Sequence, residues 1–139
     1  MYDNEKFYVS IANVFANLSF LTPEPEKKVS GKENMELFSI DFSKERKGKL
    51  YMKISGELLS YIHNTISDEP EGFDETGKEL LNIVCGNFLS DVFTDKKSFK
   101  LFPPQKVDSV KEVKEPDMKT EVYFDMGNAE FFVFLEESK

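Results

Sequence analysis

The stretch from Asp74 to Phe93, DETGKELLNIVCGNFLSDVF, is the strongest constraint on what this chain can fold into. Its apolar residues Leu80, Leu81, Val84, Phe88 and Val92 recur at steps of three and four, which predicts one buried face of an α-helix. At about 100° per residue, Glu75, Glu79, Asn82, Gly86 and Ser90 fall together on the opposite face. A carboxylate and a carboxamide, Glu79-x-x-Asn82, thus stand side by side toward solvent, ~5–6 Å apart at Cβ. An asparagine amide donates and accepts at once, so it can orient a water molecule while the adjacent carboxylate pairs with a cation. Gly86, one turn beyond Asn82, lets a partner surface approach closely, which gives a reason for a residue that costs about 1 kcal/mol in a helix interior. The rival role for Glu79 is structural: it forms a capping box with Thr76 if the helix starts at Gly77. Only a helix that begins upstream of Thr76 leaves Glu79 facing outward.

The rest of the chain supplies a sheet and two more helices. Residues 4 to 20 carry Phe7, Ile11, Val14, Phe15 and Leu18 on one helical face, with Asp3 or Asn4 as the cap. The polar segment from Thr22 to Glu33, with Pro23, Pro25 and Gly31, breaks that pattern and is expected to be a mobile surface connection. From Met35 the period becomes two. Phe38, Ile40 and Phe42, then Leu50, Met52 and Ile54, alternate with polar residues, and SKERKGK links them as a hairpin. Ser55 can cap a helix GELLSYIHNTI, striped by Leu58, Leu59, Ile62 and Ile66. Past the long helix, Phe99 to Phe102 reads as a short strand stopped by Pro103 and Pro104, which lack amide hydrogens. VDSVKEV is expected to add an edge strand and VKEPD a turn. Glu121 to Met126 and Ala129 to Leu135 are two strands joined at Gly127 and Asn128. The order predicts a single α+β domain over 1–139, with helices packed on a largely antiparallel sheet.

Composition narrows the function. The 139 residues suit one core, and fourteen Phe with no Trp predict a core built largely from phenylalanine. A formal net charge of −8, with no uninterrupted basic cluster, argues against nucleic acid and anionic membrane as partners. A single cysteine, Cys85, excludes an internal disulfide and fits a reducing compartment. Neither end shows a targeting pattern and no apolar run spans a bilayer, so a cytoplasmic protein is expected.

The second half of the chain resembles the CheX/CheC family of chemotaxis phosphatases. That family carries Glu-x-x-Asn on an exposed helix, usually with Asp or Ser four residues before the Glu and a proline about one strand downstream. Here Glu79-Leu80-Leu81-Asn82 matches the core, IVCGNF resembles the continuation, and FKLFPPQKV resembles the strand and proline step. More loosely, the likeness extends over the hairpin from Met35 to Ile54 and the helix after it. Two positions depart: Glu75 stands where Asp or Ser is usual, and Pro104 falls about one residue short of the family's distance from the Asn. The resemblance implies a CheX/CheC-like fold and hydrolysis of the aspartyl phosphate of a CheY-like response regulator. It implies Asn82 orienting the attacking water and Glu79 docking on a lysine of the regulator, with Glu75, Gly86 and Ser90 touching the partner. No cofactor of its own is implied, since the Mg²⁺ belongs to the regulator. A homodimer through sheet edges is compatible, with Ala129 to Leu135 as the edge.

Other readings stay open. The same fold can serve as a non-catalytic interaction module for a signalling partner, which the Glu75 departure favours. A domain binding a small ligand among its Phe residues would be marked by a deep apolar pocket away from the long helix. His63 and Cys85 offer a nucleophilic pair, but satisfied structural roles are expected of both. No clustering of His and Cys suggests a metal site, and the acidic loop at Asp68-Glu69-Pro70-Glu71 reads as solvated.

Overall fold

The computed structural model describes residues 4–19, 35–44, 46–67, 69–93 and 98–136. Three helices lie on one face of an antiparallel sheet. They are α1 (Asn4–Ser19), α2 (Gly56–Ile66) and α3 (Phe73–Val92). The strands are β1 (Met35–Ser43), β2 (Lys47–Ser55), β3 (Lys100–Leu101), β4 (Gln105–Lys106), β5 (Met118–Phe124) and β6 (Gly127–Leu135), in the order β3-β1-β2-β6-β5 with β4 also on β1. The connection expected from Thr22 to Glu33 lies outside the described residues, as does a cap by Asp3. Asn4 opens α1, and its Oδ1 accepts from the Lys119 amide of β5 at 3.2 Å.

Register explains the core. Pairing Phe38 with Met52, Ile40 with Leu50 and Phe42 with Gly48, then Leu50 with Val133 and Met52 with Phe131, puts these apolar residues of β1, β2 and β6 together on the helix side. Phe88 of α3 joins the layers, its ring 5.0 Å from that of Phe7 on α1 and 6.0 Å from that of Phe42 on β1. Gly77 brings α3 down onto the sheet: a Cβ there would lie 2.3 Å from Phe38 Cζ. Ser55 caps α2 as predicted, accepting from the Leu58 amide at 3.4 Å, and the same hydroxyl accepts from the Asn128 amide at 3.2 Å.

Four expectations need correction. The strand predicted at Phe99 to Phe102 is shorter and resumes as β4 beyond the prolines. Leu101 pairs with Phe42 and Lys106 with Phe38, so one extra residue bulges out where Pro103 and Pro104 cannot donate to β1. VDSVKEV adds no strand. Residues 107–117 instead cross the outer face of the sheet from the β1 edge to β5, tied by the Lys111 amide to Tyr51 Oη at 3.4 Å and the Asp117 amide to the Val133 carbonyl at 2.7 Å. Tyr51 and Phe134, on that outer face, are buried, with rings 5.7 Å apart. The β5–β6 turn is Asp125-Met126, and Gly127 and Asn128 already pair with Phe124 and Tyr123. Gly127 still needs to be glycine: its φ is +151°, and a Cβ would press into the Ser55 hydroxyl. Finally, β6 is flanked by β2 and β5, so Ala129 to Leu135 is an interior strand and not an edge.

Candidate functional site

α3 alternates pairs of buried and outward residues. Thr76, Gly77, Leu80, Leu81, Val84, Cys85, Phe88 and Leu89 are buried, and the stripe between them faces out. On that stripe Glu75, Glu79 and Ser90 are exposed, and Asn82 and Gly86 are half-buried. All five residues singled out from the sequence thus share one face, while Val92, predicted inward, is half-buried at the end of the helix.

The capping alternative for Glu79 fails on geometry. α3 begins at Phe73, and the Thr76 amide donates to the Gly72 carbonyl at 3.0 Å. The Thr76 hydroxyl is taken by His63, 2.6 Å from its Nδ1. His63 Nε2 lies 2.7 Å from the Glu69 carbonyl, which only accepts, so Nε2 carries a hydrogen, and in the neutral ring Nδ1 accepts from Thr76. The ring packs on Phe73 at 4.3 Å. His63 is therefore a structural residue binding α2 to the start of α3, and it shares no bond with Cys85. Cys85 is fully buried, and burial pushes its thiol far above the ordinary cysteine range, which removes it as a nucleophile.

Among the described residues Glu79 and Asn82 make no side-chain hydrogen bond or ion pair, whereas Glu75 leans on Lys78 at 3.7 Å. A Cβ on Gly86 would meet nothing within 4 Å, so the fold itself gives no reason for that glycine. Next to the stripe, Lys106 of β4 stands 2.8 Å from Glu36 of β1 and 3.0 Å from Asp74 in the first turn of α3. Hydrogen bonds to Glu36 first and then Asp74 raise its pKa above lysine's ordinary value. Sequence reasoning missed Lys106, Lys44 and the His63–Thr76 pair, because each acts on a residue distant in the chain and no local spacing encodes it.

No group of three or more His, Cys, Asp or Glu among the described residues could hold a metal ion. A cleft of about 610 Å³ lies on the other face of the sheet, and Asp41, Lys47, Lys49, Glu112, Lys114 and Glu136 supply much of its wall. That wall is charged, unlike the deep apolar pocket a Phe-lined ligand site requires. No helix among the described residues is long and apolar enough to cross a membrane.

Residues 37–126 match the family model described as chemotaxis phosphatase CheX. The chain belongs to the CheX family. The matched segment runs from β1 to the β5–β6 turn and includes all of α3, with Glu79 and Asn82. Solved structures agree on the CheX fold. The chain is similar to a putative chemotaxis protein from Desulfovibrio vulgaris Hildenborough, with TM-score 0.74 at 14% identity over 95% of both chains. It is similar to a CheC-like superfamily protein from Shewanella sp. PV-4, with TM-score 0.72 at 18% identity over 96% of both. It also matches a chain of the CheX–CheY–BeF₃–Mg²⁺ complex from Borrelia burgdorferi, with TM-score 0.67 at 15% identity, covering 99% of this chain and 100% of that one. No curated protein sequence matches the chain significantly.

Proposed function

We propose that this CheX-family protein hydrolyses the aspartyl phosphate of a CheY-like response regulator, with α3 as the face that enters the regulator's site. The observation that carries the reading is the outward stripe of α3, where Glu79 and Asn82 stand together with no partner among the described residues. Asn82 orients a water molecule in line with phosphorus. The water oxygen forms the new bond to phosphorus while the bond to the aspartate oxygen breaks, releasing inorganic phosphate and the free carboxylate. Glu79 pairs with a lysine of the regulator and fixes the docking, while Glu75, Gly86 and Ser90 contact its surface. The Mg²⁺ and the phosphorylated aspartate belong to the regulator, so the protein contributes position and charge and needs no metal of its own. Support for the partner comes from the Borrelia relative, whose structure holds CheX with CheY, BeF₃ and Mg²⁺. A pairing of two copies through sheet edges falls to β5 or to the short β3 and β4 at the opposite edge, since β6 is interior.

The test is the decay of a radiolabelled phosphoregulator with and without the protein. Wild-type protein is expected to accelerate decay, and Asn82→Ala to reduce that acceleration by about 10²-fold or more while retaining binding, as removal of a single orienting group does elsewhere. Decay unchanged by wild-type protein that nonetheless binds the regulator would select the non-catalytic interaction module, the reading that Glu75 at the usual Asp or Ser position favours.

A further inference from the structure

α3 lacks fastenings of its own at either end. Its N-cap is Gly72, which makes no side-chain capping bond, and its last turn has no basic residue. α2 holds the first turn through the buried Thr76–His63 pair, and the sheet adds a contact at each end. At the first turn, Lys106 bridges Asp74 of α3 and Glu36 of β1. At the last turn Lys44, the residue after β1, donates to the Leu89 carbonyl at 3.1 Å and the Phe93 carbonyl at 3.0 Å. A helix C-terminus leaves carbonyls without intrahelical amides and carries the negative end of the helix dipole, so an ammonium group suits it. The Lys44 ammonium is half-buried there and sits 5.9 Å from the centre of the Phe99 ring.

The two contacts are about 22 Å apart along the helix at 1.5 Å per residue, and Glu79 and Asn82 lie between them. Close packing of α3 on the sheet, with Gly77 against Phe38, seats the middle of the helix, and hydrogen bonds of fixed length and angle at its ends add to its position along the axis. We propose that Lys44 and Lys106 are positioning residues for the phosphatase step, clamping α3 against β1 so that Asn82 and Glu79 stand at a fixed place along the helix axis. The proposal rests on the phosphatase reading above. A positioned reaction is sensitive to placement, since a displacement of about 1 Å can cost about 10²-fold. Lys44 carries more of the effect, because it is half-buried and holds two carbonyls, while the Lys106 contacts are exposed and screened.

The experiment uses the full chain with a radiolabelled phosphoregulator, varying regulator concentration to separate kcat from KM. Amide exchange across α3 and thermal unfolding are followed on the same samples. For Lys44→Met the expected result is a fall in kcat of about tenfold with KM within about twofold, and faster exchange in the last turn of α3. Lys44→Arg, which can still donate to both carbonyls, should restore most of the rate, and Lys106→Met should lower kcat by about two- to threefold. Wild-type kcat in a folded Lys44→Met protein overturns the proposal. So does a loss confined to KM, or a loss that Lys44→Arg leaves in place. If Lys44→Met does not fold, Lys106→Met and Lys44→Arg decide alone: wild-type kcat in Lys106→Met overturns the clamp, and a reduced kcat at unchanged KM, with Lys44→Arg near wild type, supports it. Failure of the wild-type protein to accelerate decay is a separate result, which removes the phosphatase reading itself and the proposal with it.

Discussion

Gly77 and Gly86 lie on opposite faces of α3, and the same substitution has opposite consequences at the two. Replacing a helix-interior glycine by alanine gains about 1 kcal/mol of backbone propensity wherever the methyl group fits. At Gly86 the added Cβ meets nothing within 4 Å. Gly86→Ala should therefore raise stability by about 1 kcal/mol, read as a higher denaturant midpoint with unchanged slope. At Gly77 the Cβ would lie 2.3 Å from Phe38 Cζ and 2.6 Å from Cε2, in a ring that is fully buried. Overpacking of that kind costs about 1–3 kcal/mol, which exceeds the propensity gain, so Gly77→Ala should lower the midpoint. The proposed function adds a condition at Gly86: a larger side chain such as leucine should leave the fold intact and raise KM for the phosphoregulator by about tenfold, a loss of about 1.4 kcal/mol in docking. Unchanged KM in Gly86→Leu would remove Gly86 from the docking surface.

At the scale of elements, the start of α3 is fixed by α2 rather than by a cap within its own sequence. The Thr76 hydroxyl and His63 form a buried pair, and the ring's other nitrogen is tied to the Glu69 carbonyl of the connecting loop. Thr76→Val keeps the shape but leaves His63 Nδ1 without a donor, a buried unsatisfied group worth about 1–3 kcal/mol. The expected outcome is a lower unfolding midpoint of that size, with the α2–α3 connection showing faster amide exchange. This pair also shows where sequence reading stops. Periodicity placed α3 within a residue at either end, and it placed Glu79, Asn82 and Gly86 on the outward stripe, because a helix repeats by its own geometry. Thr76 could be read equally well as a capping partner for Glu79, and only the distance to His63, thirteen positions earlier, decides between them. Ser55 was legible as the cap of α2 because that bond is local. Its second bond, to the Asn128 amide, was not.

At the scale of the whole molecule, the long strands were legible because each has one face toward the helices, and the period of two survives in their residues. The segment 107–117 was not, because it crosses the outer face of the sheet in extended, irregular form, pairing through single bonds such as those of Lys111 and Asp117. That crossing follows from topology: β4 ends at the β1 edge, β5 lies at the opposite edge, and the helices already occupy the other face. The resulting core holds Cys85 fully buried, and burial raises its thiol well above the ordinary range. A thiol reacts as thiolate, so iodoacetamide at pH 8 should leave Cys85 unmodified in the native protein over hours, with rapid labelling once denaturant unfolds the chain. The labelling rate should rise with denaturant in parallel with global unfolding, since Cys85 packs in the centre of α3 and local fraying of either helix end does not reach it. Mass spectrometry of timed samples reads the result directly. Labelling in buffer that is fast and independent of denaturant would place Cys85 at an accessible surface and contradict the packing of α3 on the sheet.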